Sequence, residues 1–147
     1  MAGVRLDYRF DDKQVLNALK RMEDFNARPM FDEIGGYLDS SVTQRFKEGV
    51  GPDGIAWEES ERAKNEGGKT LVDFGHLRDS VTSFIYLDGS GLEHGSDMVY
   101  AAIHQFGGKT GRNKSVELVA RPFIGINGDD EDEINSIARD FVQQVMP

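Results

Sequence analysis

Apolar and polar side chains alternate at the start of the chain, with Val4, Leu6, Tyr8 and Phe10 on one face of an extended segment, which predicts a strand over 3–10. Asp11 and Asp12 then offer an N-cap. Val15, Leu16, Leu19, Met22 and Phe25 recur at helical spacing behind them and predict a helix over 12–26. Arg28-Pro29 interrupts that helix, because the residue before a proline is pushed out of the helical region and Pro29 suits a first helical position. A second helix follows, with an apolar stripe of Phe31, Ile34, Leu38, Val42 and Phe46 and a stop at Gly49. Gly35-Gly36 inside it cost about 1 kcal/mol each relative to alanine, so a close helix approach or a kink is expected there.

From 49 to 69 the period disappears. Gly49, Gly51, Pro52, Gly54, Gly67 and Gly68 surround a single Trp57, the residue expected to be anchored in a long loop that is functional or orders on meeting a partner. Residues 70–80 read as a turn or short helix leading into a strand over 81–87. Asp88-Gly89-Ser90-Gly91 is a turn signal, and 92–95 returns as the second arm of a hairpin. Residues 98–106 make one or two helical turns closed by Gly107-Gly108. The stretch 107–115 is a second glycine-punctuated loop, holding Lys109, Arg112 and Lys114 and no acid. Val116, Leu118 and Ala120 alternate toward Arg121-Pro122, and 123–126 continues extended. The clearest element is the last, a helix in which Asp129 and Asp130 precede the stripe Ile134, Ile137, Ala138, Phe141, Val142 and Val145. Its acidic run 129–133 reads as a solvated helix start. Nothing divides the chain, so 1–147 is expected to be a single domain.

Composition narrows the chemistry. The 147 residues carry 17 Lys+Arg against 26 Asp+Glu, a net charge of −9, and the pI near 4.8 opposes a surface that grips phosphates. The absence of cysteine excludes disulfides, thiolate metal sites and cysteine nucleophiles. No apolar run approaches the roughly 18 residues of a membrane span, and the first residues do not form a signal peptide, so synthesis in the cytoplasm and no membrane partner are expected. His76, His94 and His104 have no second histidine or cysteine at ligand spacing, so structural roles are favoured. Ser80, His76 and Asp73 could be assembled into a nucleophilic set, but no G-x-S-x-G elbow holds the serine. Gly107-Gly108-Lys109-Thr110-Gly111 follows a helical segment rather than a strand and is no phosphate loop. The residues thus offer no catalytic group, metal site or cofactor, and two long glycine-rich loops point to assembly.

The order of the motifs adds more. Phe46, Gly49, Gly51-Pro52-Asp53-Gly54 and Trp57 come first, then Leu71 to Ser80, then Tyr100 to Gly108, then Ala120-Arg121-Pro122-Phe123-Ile124-Gly125. Together they resemble the phage virion morphogenesis family, which includes tail-completion and head–tail joining proteins of tailed phages, Mu-like ones among them. The resemblance implies an α+β fold, a small antiparallel sheet packed against two N-terminal helices and a C-terminal helix, with long Gly-rich loops. It implies a non-enzymatic ring at the virion neck, without cofactor. Its partners would be further copies of itself and neighbouring neck and tail proteins, and DNA would pass through without specific binding. An acidic or neutral lining suits that passage, because it does not hold the duplex. In this frame Gly75 permits a turn before Leu77, Ser80 begins a strand, and Tyr100, Ile103 and Phe106 share a helical face capped by Gly107. Arg121-Pro122-Phe123 would place a kink between an exposed arginine and a buried ring. Trp57, Pro52, Asp53, Lys109, Arg112, Lys114 and Arg121 are the candidate interface. Two other readings stand beside this one: a small hydrolase built on the three histidines, and an acidic regulatory or inhibitor protein that occupies a basic site.

Overall fold

A computed structural model of the chain describes residues 3–6, 13 and 26–145. The helix expected over 12–26 and the second half of the first strand lie outside the described residues but for Lys13 and Asn26. The fold is α+β. Strands β1 (Val4–Leu6), β2 (Thr82–Ile85) and β3 (Leu92–Ser96) form an antiparallel sheet in the order β1-β3-β2. Val4 stands opposite Ser96 and Thr82 opposite Gly95, so β3 is the central strand, flanked by its hairpin partner β2 and by β1 from the start of the chain.

Helix α1 (Arg28–Glu48) crosses the whole core. Its first half puts Met30, Ile34 and Leu38 against Ile134, Ile137 and Ala138 of the C-terminal helix. Its second half puts Val42 and Phe46 against Leu77, Val81, Ala101, Phe123 and Ile124. The stripe is the expected one, with Met30 rather than Phe31 at its start: Met30 lies one turn before Ile34 and packs with it against the C-terminal helix, while Phe31 is half-buried at the rim of that cluster. Gly35 serves a close approach, of helix to strand: a Cβ there would stand 2.9 Å from the Ser83 Cβ on β2, while Gly36 faces open space. Gly49 ends α1 in a left-handed conformation, its N–H bonded to the Arg45 carbonyl.

The two glycine-rich stretches are more regular than their sequence suggests. Residues 49–69 hold an isolated bridge between Val50 and Ala56 and a short helix α2 (Glu61–Glu66), where the Ser60 hydroxyl accepts from the Ala63 N–H. Residues 107–115 are not a loop. With 116–118 they form a second hairpin, β4 (Gly108–Thr110) and β5 (Val116–Leu118), closed by a 3-10 turn over Arg112–Lys114. Helix α3 (His76–Ser80) starts at Gly75, whose left-handed φ of 80° makes the expected turn, and Ser80 ends this helix rather than beginning the strand. Helix α4 (Ala101–Phe106) stops at Gly107. Tyr100 and Ile103 are half-buried, but Phe106 is 71% exposed, so the three do not share one buried face. Residues 123–126 join no ladder, and α5 (Gly128–Val145) closes the fold. Among the described residues no helix is long and apolar enough to cross a membrane.

Candidate assembly interface

The segment from Arg121 to Asn127 has no strand to pair with, so its polar groups are met by side chains from elsewhere. Gln105 of α4 does most of this: its carbonyl accepts the N–H groups of Phe123 and Ile124, each at 3.0 Å, and its amide donates to the Ile124 carbonyl at 2.8 Å. Arg45 of α1 donates to the carbonyls of Phe123 and Gly125. Its other nitrogen meets Asp130 at 2.6 Å, an ion pair in which both side chains are buried. Asp130 also accepts from the Tyr37 and Ser41 hydroxyls and from the Asn127 N–H, so a charge expected in solvent is the most connected carboxylate of the fold's described part. Burial first, and then the Asp130 hydrogen bond, push the Tyr37 phenol up to about 12.

This segment in turn clamps the first glycine-rich stretch. The Trp57 indole donates to the Pro122 carbonyl at 2.7 Å, and its ring meets Phe46 edge-on at 5.3 Å. Arg121 donates to the Glu58 carbonyl at 2.6 Å, and the Asn127 amide to the Pro52 carbonyl at 2.9 Å. Gly51 and Gly125 lie close to this seam: a Cβ on Gly125 would fall 2.7 Å from the Pro52 ring. Trp57 is therefore anchored, as expected, but Arg121 is only 6% exposed, against the expectation of an exposed arginine. The reason is that its guanidinium is the bolt between two backbone segments.

Beside the clamp lies an open cleft of about 680 Å³, bounded by the 58–62 segment, the 71–77 segment, α4 and β5. Leu71, Leu77, Tyr100 and Leu118 give it an apolar lining, and Glu58, Glu59, Asp73 and Glu117 stand around it. His104 lines it with a buried Nδ1 that has no hydrogen-bond partner, and burial, with Arg121 nearby, lowers its pKa.

The structure separates the sequence-derived candidates into groups. Trp57 and Pro52 are half-buried in the clamp, and Asp53 caps its own turn by accepting the Ile55 N–H. Lys109, Arg112 and Lys114 are all exposed on the second hairpin, Lys109 opposite Glu117 and the other two at the tip. The histidines do not come together. His76 and His104 both line the cleft, whereas His94 is buried under α1, its Nδ1 3.1 Å from Asp39 and 3.0 Å from Ser83. Serine and carboxylate there address the same ring nitrogen, while a relay needs one on each, so the trio fastens α1 to the sheet. Ser80 bonds the Leu77 carbonyl and the Ser96 hydroxyl, away from any such set. Among the described residues no three histidine, aspartate or glutamate side chains converge as metal ligands. Sequence reasoning missed Arg45, Gln105, Asn127 and Asp130. The available signal was a polar residue in register with an apolar stripe, Arg45 beside Phe46 and Asp130 one turn before Ile134.

The ordered blocks that carried the resemblance thus meet in one place: the 51–57 and 120–125 blocks form the clamp, and the 71–80 and 100–108 blocks border it. Residues 10–143 match the family model of the phage virion morphogenesis family, and the chain belongs to that family, whose proteins act in building phage particles. Over 133 residues, 89% of this chain and 91% of the relative, it is 36% identical to the Mu-like prophage FluMu G protein 2 of Haemophilus influenzae. No solved structure matches the chain.

Proposed function

We propose that this protein is a non-enzymatic component of the phage neck, acting in head–tail joining or tail completion as a ring of identical copies. The observation that carries the reading is the clamp: Arg45 of α1, the 52–58 stretch and the 121–127 segment, distant in sequence, are bonded together beside the exposed acidic cleft. That bonding suits a part that docks against neighbours in a set geometry. Its partners are copies of itself and adjoining neck and tail proteins, and it resides in the virion at the head–tail junction. The net charge of −9 supports passage of DNA without specific binding, since a surface short of cations releases few counterions from the duplex.

Electron microscopy of lysates from a phage or induced prophage lacking this gene tests the reading. Full heads accumulating beside unattached tails is the expected result. Intact infectious particles at normal yield would overturn it.

A further inference from the structure

Two exposed surfaces of this chain have opposite character. The cleft is apolar along Leu71, Leu77 and Leu118, and Phe74, 81% exposed, stands at its edge. Glu58, Glu59 and Glu117 around it are exposed and make no ion pair among the described residues. The second surface is the tip of the β4–β5 hairpin, where Arg112 and Lys114 are exposed and equally unpaired. Asn113 and Lys114 hold left-handed φ values of 57° and 53° there, uncommon for residues with a Cβ.

The tip does not reach its own cleft. Residues 116–119 form one cleft wall, and the ladder runs from Gly108 opposite Leu118 to Thr110 opposite Val116, so residues 111–115 continue past the end of that wall. We propose that the cleft of one copy receives the hairpin tip of a second copy. Arg112 and Lys114 then face Glu58, Glu59 and Glu117, and their aliphatic stems cover the apolar lining and Phe74. Every copy carries one cleft and one tip, so the contact is head-to-tail, and it closes into a ring where the rotation between copies permits. A contact that is modest on its own gains strength by repetition around that ring. The proposal rests on the ring reading above and names the surfaces that build it.

Charge reversal tests it on the full chain. One variant carries Arg112→Glu and Lys114→Glu, the other Glu58→Lys and Glu59→Lys; all four side chains are exposed, and Glu58 serves the clamp only through its backbone carbonyl. Sedimentation velocity at low ionic strength is the readout, with circular dichroism to confirm folding. The unmodified chain is expected to self-associate and to dissociate as salt is added. Each variant alone should associate more than about tenfold more weakly, because like charges then face each other. An equimolar mixture of the two should recover association, since each reversed tip finds a reversed cleft. Variants that associate like the unmodified chain, a mixture that stays monomeric, or an unmodified chain that never self-associates would each overturn the contact. The last result is also the one given by a cleft that serves a different protein's basic segment. If the variants associate normally while phage lacking the gene still yields unjoined heads and tails, this contact falls and the neck assignment stands.

Discussion

Asp130 is the most connected carboxylate among the described residues. It neutralises Arg45 at a site where both side chains are buried, and together they hold α1, the 121–127 segment and the start of α5. Removing one member of such a pair strands the other charge, so Asp130→Ala should lower the stability measured by denaturant unfolding by about 3–5 kcal/mol. Replacing both, as Arg45→Met with Asp130→Leu, should cost less than the two single changes added. Two glycines make an equally sharp contrast. Gly107 has a φ of 72°, and a Cβ there would meet the Ala120 nitrogen at 2.7 Å and the Leu118 carbonyl oxygen at 2.8 Å, both backbone atoms that cannot yield. Gly107→Ala should therefore destabilise by more than about 1 kcal/mol, whereas Gly36→Ala, in open space on α1, should raise the melting temperature through roughly 0.5–1 kcal/mol of helix propensity.

At the scale of elements, α4 matters less as a helix than as the carrier of Gln105 and His104. Gln105→Leu leaves the buried N–H groups of Phe123 and Ile124 without acceptors, at about 1–3 kcal/mol each. Amide exchange over 121–127 should quicken accordingly. His104 adds a pH dependence. Its pKa in the folded state lies below the ordinary value, so the unfolded chain binds the proton more readily and stability falls as pH drops through about 6.5 and below. Melting temperatures of His104→Gln should decline less than those of the unmodified chain between roughly pH 7.5 and 5.5.

Which elements could be read from the sequence follows from how each is held. Helices α1 and α5 show a long apolar period because each buries one continuous face. Helix α2 buries only Ala63 and is held by the Ser60 cap, so it leaves no stripe to detect. The β4–β5 hairpin buries none of its strand residues and shows no alternation beyond Val116 and Leu118. The clamp is the least legible of all, because Gln105, Arg45 and Trp57 act on backbone groups up to 80 residues away. Their chemistry is apparent only once the chain is folded. The motif order, by contrast, pointed to the right family, since glycines, prolines and aromatics at the clamp must keep their sequence positions to keep their geometry.

Over the whole molecule, rigid internal bonding and an unevenly charged exterior go together. The net charge of −9 is not spread uniformly: the hairpin tip is basic, the neighbouring cleft carries more carboxylates than cations, with Arg62 paired to Asp73 and Arg121 buried, and the first turn of α5 carries Asp129 and Glu131 exposed beside the buried Asp130. A molecule so arranged can address two different neighbours at once through surfaces of opposite sign. The neck reading proposed above requires that the chain remain in the particle. Electron microscopy of purified phage particles, with gold particles directed to a tagged copy of this chain, tests that requirement most directly. Label concentrated at the head–tail junction is the expected result, and infectious particles that carry no label, or carry it only elsewhere, would contradict the account.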